Sequence, residues 1–210
     1  MKILSIDGGG VRGLIPGMVV VEIEKRMGKP VSELFDLIAG TSAGGHIALA
    51  LTAPGPDGKP RWKAEDLAVF YREAYGRIFE NSGLKILDTL KGLSHERYSS
   101  EGIERVLDEI FGDTKISEAL CEVLVTAYEV ESGAPHFFVR SEARENPEKD
   151  YLMRFVARAT SAAPTYFEPA AKIGSNEKLA FIDGAVFANN PTMCAFAHAM
   201  SIGHDEDDMT

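Results

Sequence analysis

The sequence is poor in cysteine, in positive charge and in long apolar runs, and each shortage removes a class of function. Only two cysteines occur in 210 residues, Cys121 in an apolar strand-like run and Cys194 in an apolar helix-like run. They read as small buried hydrophobes of a reducing compartment and not as a disulfide. Lysine and arginine number 22 against 32 aspartates and glutamates, a formal net charge of −10. That balance argues against nucleic acid as a partner and against attraction to anionic membranes. No run approaches the length of a membrane span. Met1-Lys2-Ile3-Leu4-Ser5-Ile6-Asp7 reaches an acid too early for the apolar region of a signal peptide. The expected location is cytoplasmic. No cluster has metal-ligand spacing, so neither a metal nor another cofactor is expected.

What is present fits one globular α/β domain over residues 1–210, 45% hydrophobic and 26% charged. Lys2 to Ile6 reads as an opening strand, followed by a glycine-rich turn and a helix from Leu14 to Met27. Phe35 to Ala39 reads as a second strand, and Pro54-Gly55-Pro56-Asp57-Gly58 as a loop. Helices are expected from Ala64 to Phe79, from Glu101 to Phe111, from Tyr151 to Ala162 and from Thr192 to Ile202. Glu122 to Val130 and Pro135 to Arg140 read as strands joined by Ser132-Gly133, and Leu179 to Ile182 as another strand. This order implies a mostly parallel sheet with helices on both faces. Asp205-Glu206-Asp207-Asp208 reads as a solvated tail or a loop.

Gly40-Thr41-Ser42-Ala43-Gly44 carries the chemistry. It lies between the apolar run Phe35 to Ala39 and the apolar run from Ile47 to Leu51, which reads as a buried helix. Small-x-Ser-x-small between a strand and a helix is the pattern of a nucleophile elbow. A serine on so sharp a turn needs neighbours without bulk two before and two after it. The turn aims the hydroxyl at a helix N-terminus, where developing negative charge is favoured. Ser42 is therefore the candidate nucleophile. The competing reading is an ordinary loop, since the string also occurs by chance.

Asp7-Gly8-Gly9-Gly10-Val11-Arg12-Gly13 follows the first strand. Consecutive glycines let backbone N–H groups face one spot, which suits an anion or an oxyanion. Arg12 either adds positive charge there or pins the loop from behind. The string also satisfies Gly-x-Gly-x-x-Gly, but dinucleotide binding calls for an acid at the end of the second strand. That strand ends in Ala39-Gly40-Thr41, and Asp7 would set a carboxylate beside the pyrophosphate. A phosphate-binding P-loop fares no better, because Gly-Thr-Ser-Ala-Gly-Gly-His holds no lysine.

A serine nucleophile needs a base, most often histidine. His46 stands four residues after Ser42, one helical turn along and behind the hydroxyl, and reads as a packed helix residue. His95, His136 and His204 lack a strand-end setting, and His198 lies inside a helix pattern. Asp183 directly follows the strand Leu179 to Ile182 and precedes Gly184-Ala185. Catalytic groups in open parallel sheets gather at the carboxyl ends of strands, where Asp7, Ser42 and Asp183 all fall. A desolvated aspartate can act as a base. Alone, Asp183 reads equally as a capping carboxylate.

Together these motifs resemble the patatin-like phospholipase family. The resemblance rests on Asp7 to Gly13, Gly40 to Gly44 and Asp183-Gly184-Ala185, in that order, with Ala159 to Phe167 and Asn189-Asn190-Pro191 as further matches. It covers nearly the whole chain. It implies a three-layer α/β/α fold, a Ser42–Asp183 dyad, and an oxyanion hole from Gly8, Gly9 and Gly10 with Arg12 in support. It further implies a lipid acyl ester substrate met at a membrane or micelle surface, hydrolysed through an acyl-enzyme. Family domains continue past the Asn-Asn-Pro helix into another strand, so a C-terminally truncated domain is expected. Residues Leu84 to Leu93 read either as a lid or interfacial patch or as a core-packing helix. The rival from another class is a catalytically silent lipid- or nucleotide-binding module on the same fold.

Overall fold

Residues 1–69, 100–173 and 178–210 are described by a computed structural model of the chain. Ile3–Ile6 form β1, and one 3-10 turn at Gly10–Gly13 delivers the chain into α1, Leu14–Met27. Gly28 closes α1 at φ 66°, a left-handed position that suits a residue without Cβ. A short α2, Val31–Leu34, leads to β2, Leu37–Thr41, every residue of which is buried. Then α3, Ala43–Thr52, begins directly after Ser42. The strand thus starts later than Phe35, and the helix starts four residues before Ile47. Ala43, Gly44 and Gly45 look like loop in sequence, yet packing holds them helical.

In α4, Ser100–Phe111, the residues Ile103, Val106, Leu107, Ile110 and Phe111 are buried. Their spacing is that of one apolar helical stripe. The hairpin follows as β3, Glu122–Glu129, and β4, Ala134–Val139, with α5, Arg140–Glu145, taking Arg140 out of the strand. The helix expected from Tyr151 is α6, Met153–Thr160. Leu152 is held extended by an isolated bridge to Lys115, which delays the start. Ala170–Ile173 form β5, which has no counterpart among the expected strands, and Lys178–Asp183 form β6. A short α7, Ala185–Ala188, and α8, Thr192–Ser201, complete the described elements. Residues 64–69 are helical. The rest of the helix expected to Phe79, and the stretch Leu84 to Leu93, lie outside the described residues.

The six strands make one sheet in the order β1-β2-β3-β6-β5, with β4 also on β3. β1, β2 and β3 run parallel, β4 and β6 run antiparallel to β3, and β5 runs antiparallel to β6. Four of the six strands therefore share one direction. Residues alternate between the two faces of a strand. Ile38, Val123 and Val125 join the large core under α1, α3, α4 and α6, while Leu37, Ala39 and Leu124 pack with Ala195 and Ala199 of α8. Helices thus cover both faces, giving three layers.

One detail of register positions the site. β4 holds one edge of β3 from Leu124 to Glu129. On the opposite edge β2 pairs up to Thr41 with Thr126, and β6 takes over with Asp183 opposite Ala127. The two strands approach from opposite ends of one lane and meet tip to tip.

Candidate active site

Ser42 sits at that meeting point with φ 54° and ψ −122°, a conformation rare for a residue with a side chain. Such a backbone costs on the order of 1–3 kcal/mol and persists only where the surroundings fix it. Two glycines permit it. A Cβ on Gly40 would overlap the carbonyl of Gly44, and one on Gly44 would overlap the carbonyl of Ile6. The Ser42 N–H donates to Thr160 Oγ1 at 2.8 Å, and that hydroxyl donates to the Thr126 carbonyl at 2.7 Å. Thr41 Oγ1 lies 2.7 Å from Thr126 Oγ1 and donates to the Ala188 carbonyl at 2.8 Å.

Ser42 Oγ donates to Asp183 Oδ2 at 2.7 Å. The other carboxylate oxygen accepts the Ala185 N–H at 2.8 Å, and the Asp183 N–H is spent on the Ala162 carbonyl at 3.0 Å. Only 5% of Asp183 and 8% of Ser42 remain exposed. Burial pushes the Asp183 pKa up, against the bonds from Ala185 and Ser42 that pull it down. A carboxylate that is desolvated yet hydrogen-bonded to a hydroxyl has both the reach and the basicity to take its proton. The strand ending in Asp183 is antiparallel to β3, so this carboxylate does not stand at a parallel strand's carboxyl end. It reaches Ser42 because β6 and β2 meet head-on.

His46 takes no part in this contact. Its Nε2 bonds the Ala157 carbonyl at 2.9 Å, and burial lowers its pKa to about 4. It is a neutral packed residue, as its helical spacing behind Ser42 suggests.

The glycine turn divides its expected donors. The Gly8 N–H is committed to the Asn189 carbonyl at 2.9 Å, which removes it from the oxyanion role expected of it. Gly9 and Gly10 line the cavity in front of Ser42, as does Ala43, and Gly10 adopts φ 57°. The Arg12 side chain is exposed and is not among the cavity's lining residues, while its backbone N–H bonds the Gly9 carbonyl at 3.0 Å. Arg12 therefore closes the turn through its backbone, and its guanidinium is not placed at the site. Asn189, which sequence reasoning used only as a family match, lines the cavity beside Gly8. Its neighbour Asn190 donates to Asp7 at 2.8 Å. The Asn-Asn-Pro string was the available signal.

The cavity has a volume of about 690 Å³. Ser42, Asp183 and Asn189 line it together with the apolar side chains of Leu14, Val20, Ile47, Leu51, Ile103 and Leu107. Among the described residues no group of three or more His, Cys, Asp or Glu is placed to hold a metal ion, and no helix is long and apolar enough to cross a membrane.

The profile of the family described as Patatin-like phospholipase matches residues 4–196. Patatin-like protein 2 of Oryza sativa subsp. japonica is 36% identical over 211 positions, covering 94% of this chain and 52% of the relative. Patatin-like protein 4 of Arabidopsis thaliana is 35% identical, covering 99% of this chain and 55% of the relative. A Solanum tuberosum relative named Probable inactive patatin-3-Kuras 1 is 29% identical, covering 98% and 56%. The chain spans about half the length of the curated relatives it matches. Among solved structures, VipD from Legionella pneumophila aligns with 99% of this chain and 48% of its own, at 11% identity and a TM-score of 0.45.

Proposed function

Because the chain belongs to the patatin-like phospholipase family, we propose that it is a serine acyl hydrolase releasing fatty acids from lipid esters. The 2.7 Å bond from Ser42 Oγ to Asp183 Oδ2, on the wall of a largely apolar cavity, is the observation that carries this reading. Family membership alone does not, since one relative is named as inactive.

In the mechanism, Ser42 Oγ attacks the ester carbonyl carbon while Asp183 takes its proton. The carbonyl oxygen becomes an oxyanion, held by N–H groups of Gly9, Gly10 and Ala43 at the start of α3. Asp183 then gives the proton to the leaving alcohol, and an acyl-Ser42 ester remains. Asp183 next takes a proton from water, whose oxygen attacks the acyl carbon, and collapse returns the proton to Ser42 as the fatty acid leaves. The apolar body of the cavity takes the acyl chain.

We assign the activity to the phospholipase A or lysophospholipase type, in the cytoplasm and peripheral at membranes. Support for a lipid surface comes from Val11, Ile15, Met18 and Val19, which are 64%, 67%, 55% and 56% exposed. Val11 also lines the cavity, so this apolar face adjoins the mouth. The unpaired Cys121 and Cys194 accord with a reducing compartment.

A fluorophosphonate probe tests the nucleophile: it labels the wild type and leaves Ser42→Ala unlabelled. Asp183→Asn lowers hydrolysis of a lipid ester by at least about 10³-fold, the scale of losing one member of such a unit. Labelling that persists in Ser42→Ala refutes the assignment. Absence of labelling in a folded wild type favours the silent binding module.

A further inference from the structure

A glycine inside a helix weakens it through backbone entropy, so its presence asks for a reason. At Gly44, the second residue of α3, the reason is steric, since a Cβ would run into the backbone of Ile6 and Asp7. Gly17 is different. It is the fourth residue of α1, it has no left-handed φ, and among the described residues a Cβ there would meet nothing within 4 Å. Among the described residues neither backbone nor packing requires glycine here. What faces Gly17 is the cavity, which it lines.

Its position along the cavity is informative. α1 follows the carboxyl end of β1 by way of the glycine turn, and α3 follows the carboxyl end of β2. α1 lines the cavity at Leu14, Gly17 and Val20, and α3 lines it at Ala43, Ile47, Ala50 and Leu51. At 1.5 Å per residue, these positions cover about 10 Å along each axis. Of these α1 positions Leu14 and Val20 carry side chains, and Gly17 between them carries none. The carbonyl of a bound ester lies at Ser42, beside Ala43 and the Gly9-Gly10 turn. Gly17 stands three residues, about 4.5 Å, along α1 from Leu14, on the wall of the cavity that the proposed mechanism gives to the acyl chain.

We propose that Gly17 sets the acyl-chain length this site accepts, a role that rests on the hydrolase reading of the same cavity. The experiment compares wild type, Gly17→Ala and Gly17→Leu on p-nitrophenyl butyrate and p-nitrophenyl hexadecanoate. The ratio of kcat/KM for the sixteen-carbon over the four-carbon ester falls at least about tenfold in Gly17→Leu, within the range by which apolar pockets discriminate size. Gly17→Ala falls between. A ratio within twofold of wild type overturns the proposal. So does an equal loss on both esters together with loss of fluorophosphonate labelling, which makes Gly17 a support of the elbow. If the wild type hydrolyses neither ester and takes no label, the hydrolase reading has failed, and calorimetry with palmitate decides about the channel. At least tenfold weaker palmitate binding to Gly17→Leu than to wild type upholds chain selection, and equal binding overturns it.

Discussion

At Asp183 the same burial that makes the carboxylate a stronger base makes its charge a burden on the fold. The raised pKa means that the folded state binds this proton more tightly than the unfolded state does. The group therefore favours folding below its unfolded pKa, and that contribution is lost as pH rises through the raised folded value. The proposed hydrolysis runs the other way, because only the ionised form of Asp183 can accept the Ser42 proton. The acid limb of kcat/KM is expected above about 3.9, the ordinary aspartate value. A profile measured from pH 3.5 to 8 checks this, and a limb at or below that value contradicts the assigned base. Ser42 and Asp183 could be singled out in the sequence because each closes an apolar run and opens a small-residue turn. The fate of Gly8 and Arg12 could not. The Gly8 N–H is claimed by Asn189, a residue from the other end of the chain, and no local spacing records that.

Gly184 joins β6 to α7 where the two strand tips meet. It has an ordinary helical φ of −62°, so its backbone would suit any residue. A Cβ there, however, would overlap Thr126 Oγ1 and lie 2.6 Å from the Thr126 carbonyl. Gly184→Ala is expected to cost about 1–3 kcal/mol, the scale of overpacking in a filled core. It also displaces Asp183, so hydrolysis falls further than stability explains. Urea unfolding followed by assay of the folded fraction measures both, and an unchanged midpoint rules out the clash. α4, with its strong apolar period, and α1, bounded by Gly13 and Gly28, are legible in sequence to within a residue or so. β5 is not, because its residues, Ala-Ala-Lys-Ile, are too small and too few to alternate clearly. Strand direction is not legible either: the run ending in Asp183 reads the same whether it enters the sheet parallel or antiparallel.

Over the whole molecule the net charge of −10 opposes the apolar face around the cavity mouth when the lipid surface is anionic. Raising salt from about 0.01 M to about 0.15 M shortens the screening length from about 30 Å to about 8 Å. Hydrolysis of anionic vesicles is therefore expected to rise with salt over that range, while zwitterionic vesicles show little change. A fall with salt on anionic vesicles would indicate a basic docking surface instead. The tip-to-tip lane beside β3 has a consequence in time. The proposed nucleophile and its proposed base are 141 residues apart in sequence, and they meet where β6 adds to the sheet from the far end. A chain being synthesised carries Ser42 well before it carries Asp183. Under the proposed mechanism the site is incomplete in any chain whose β6 has not yet joined the sheet.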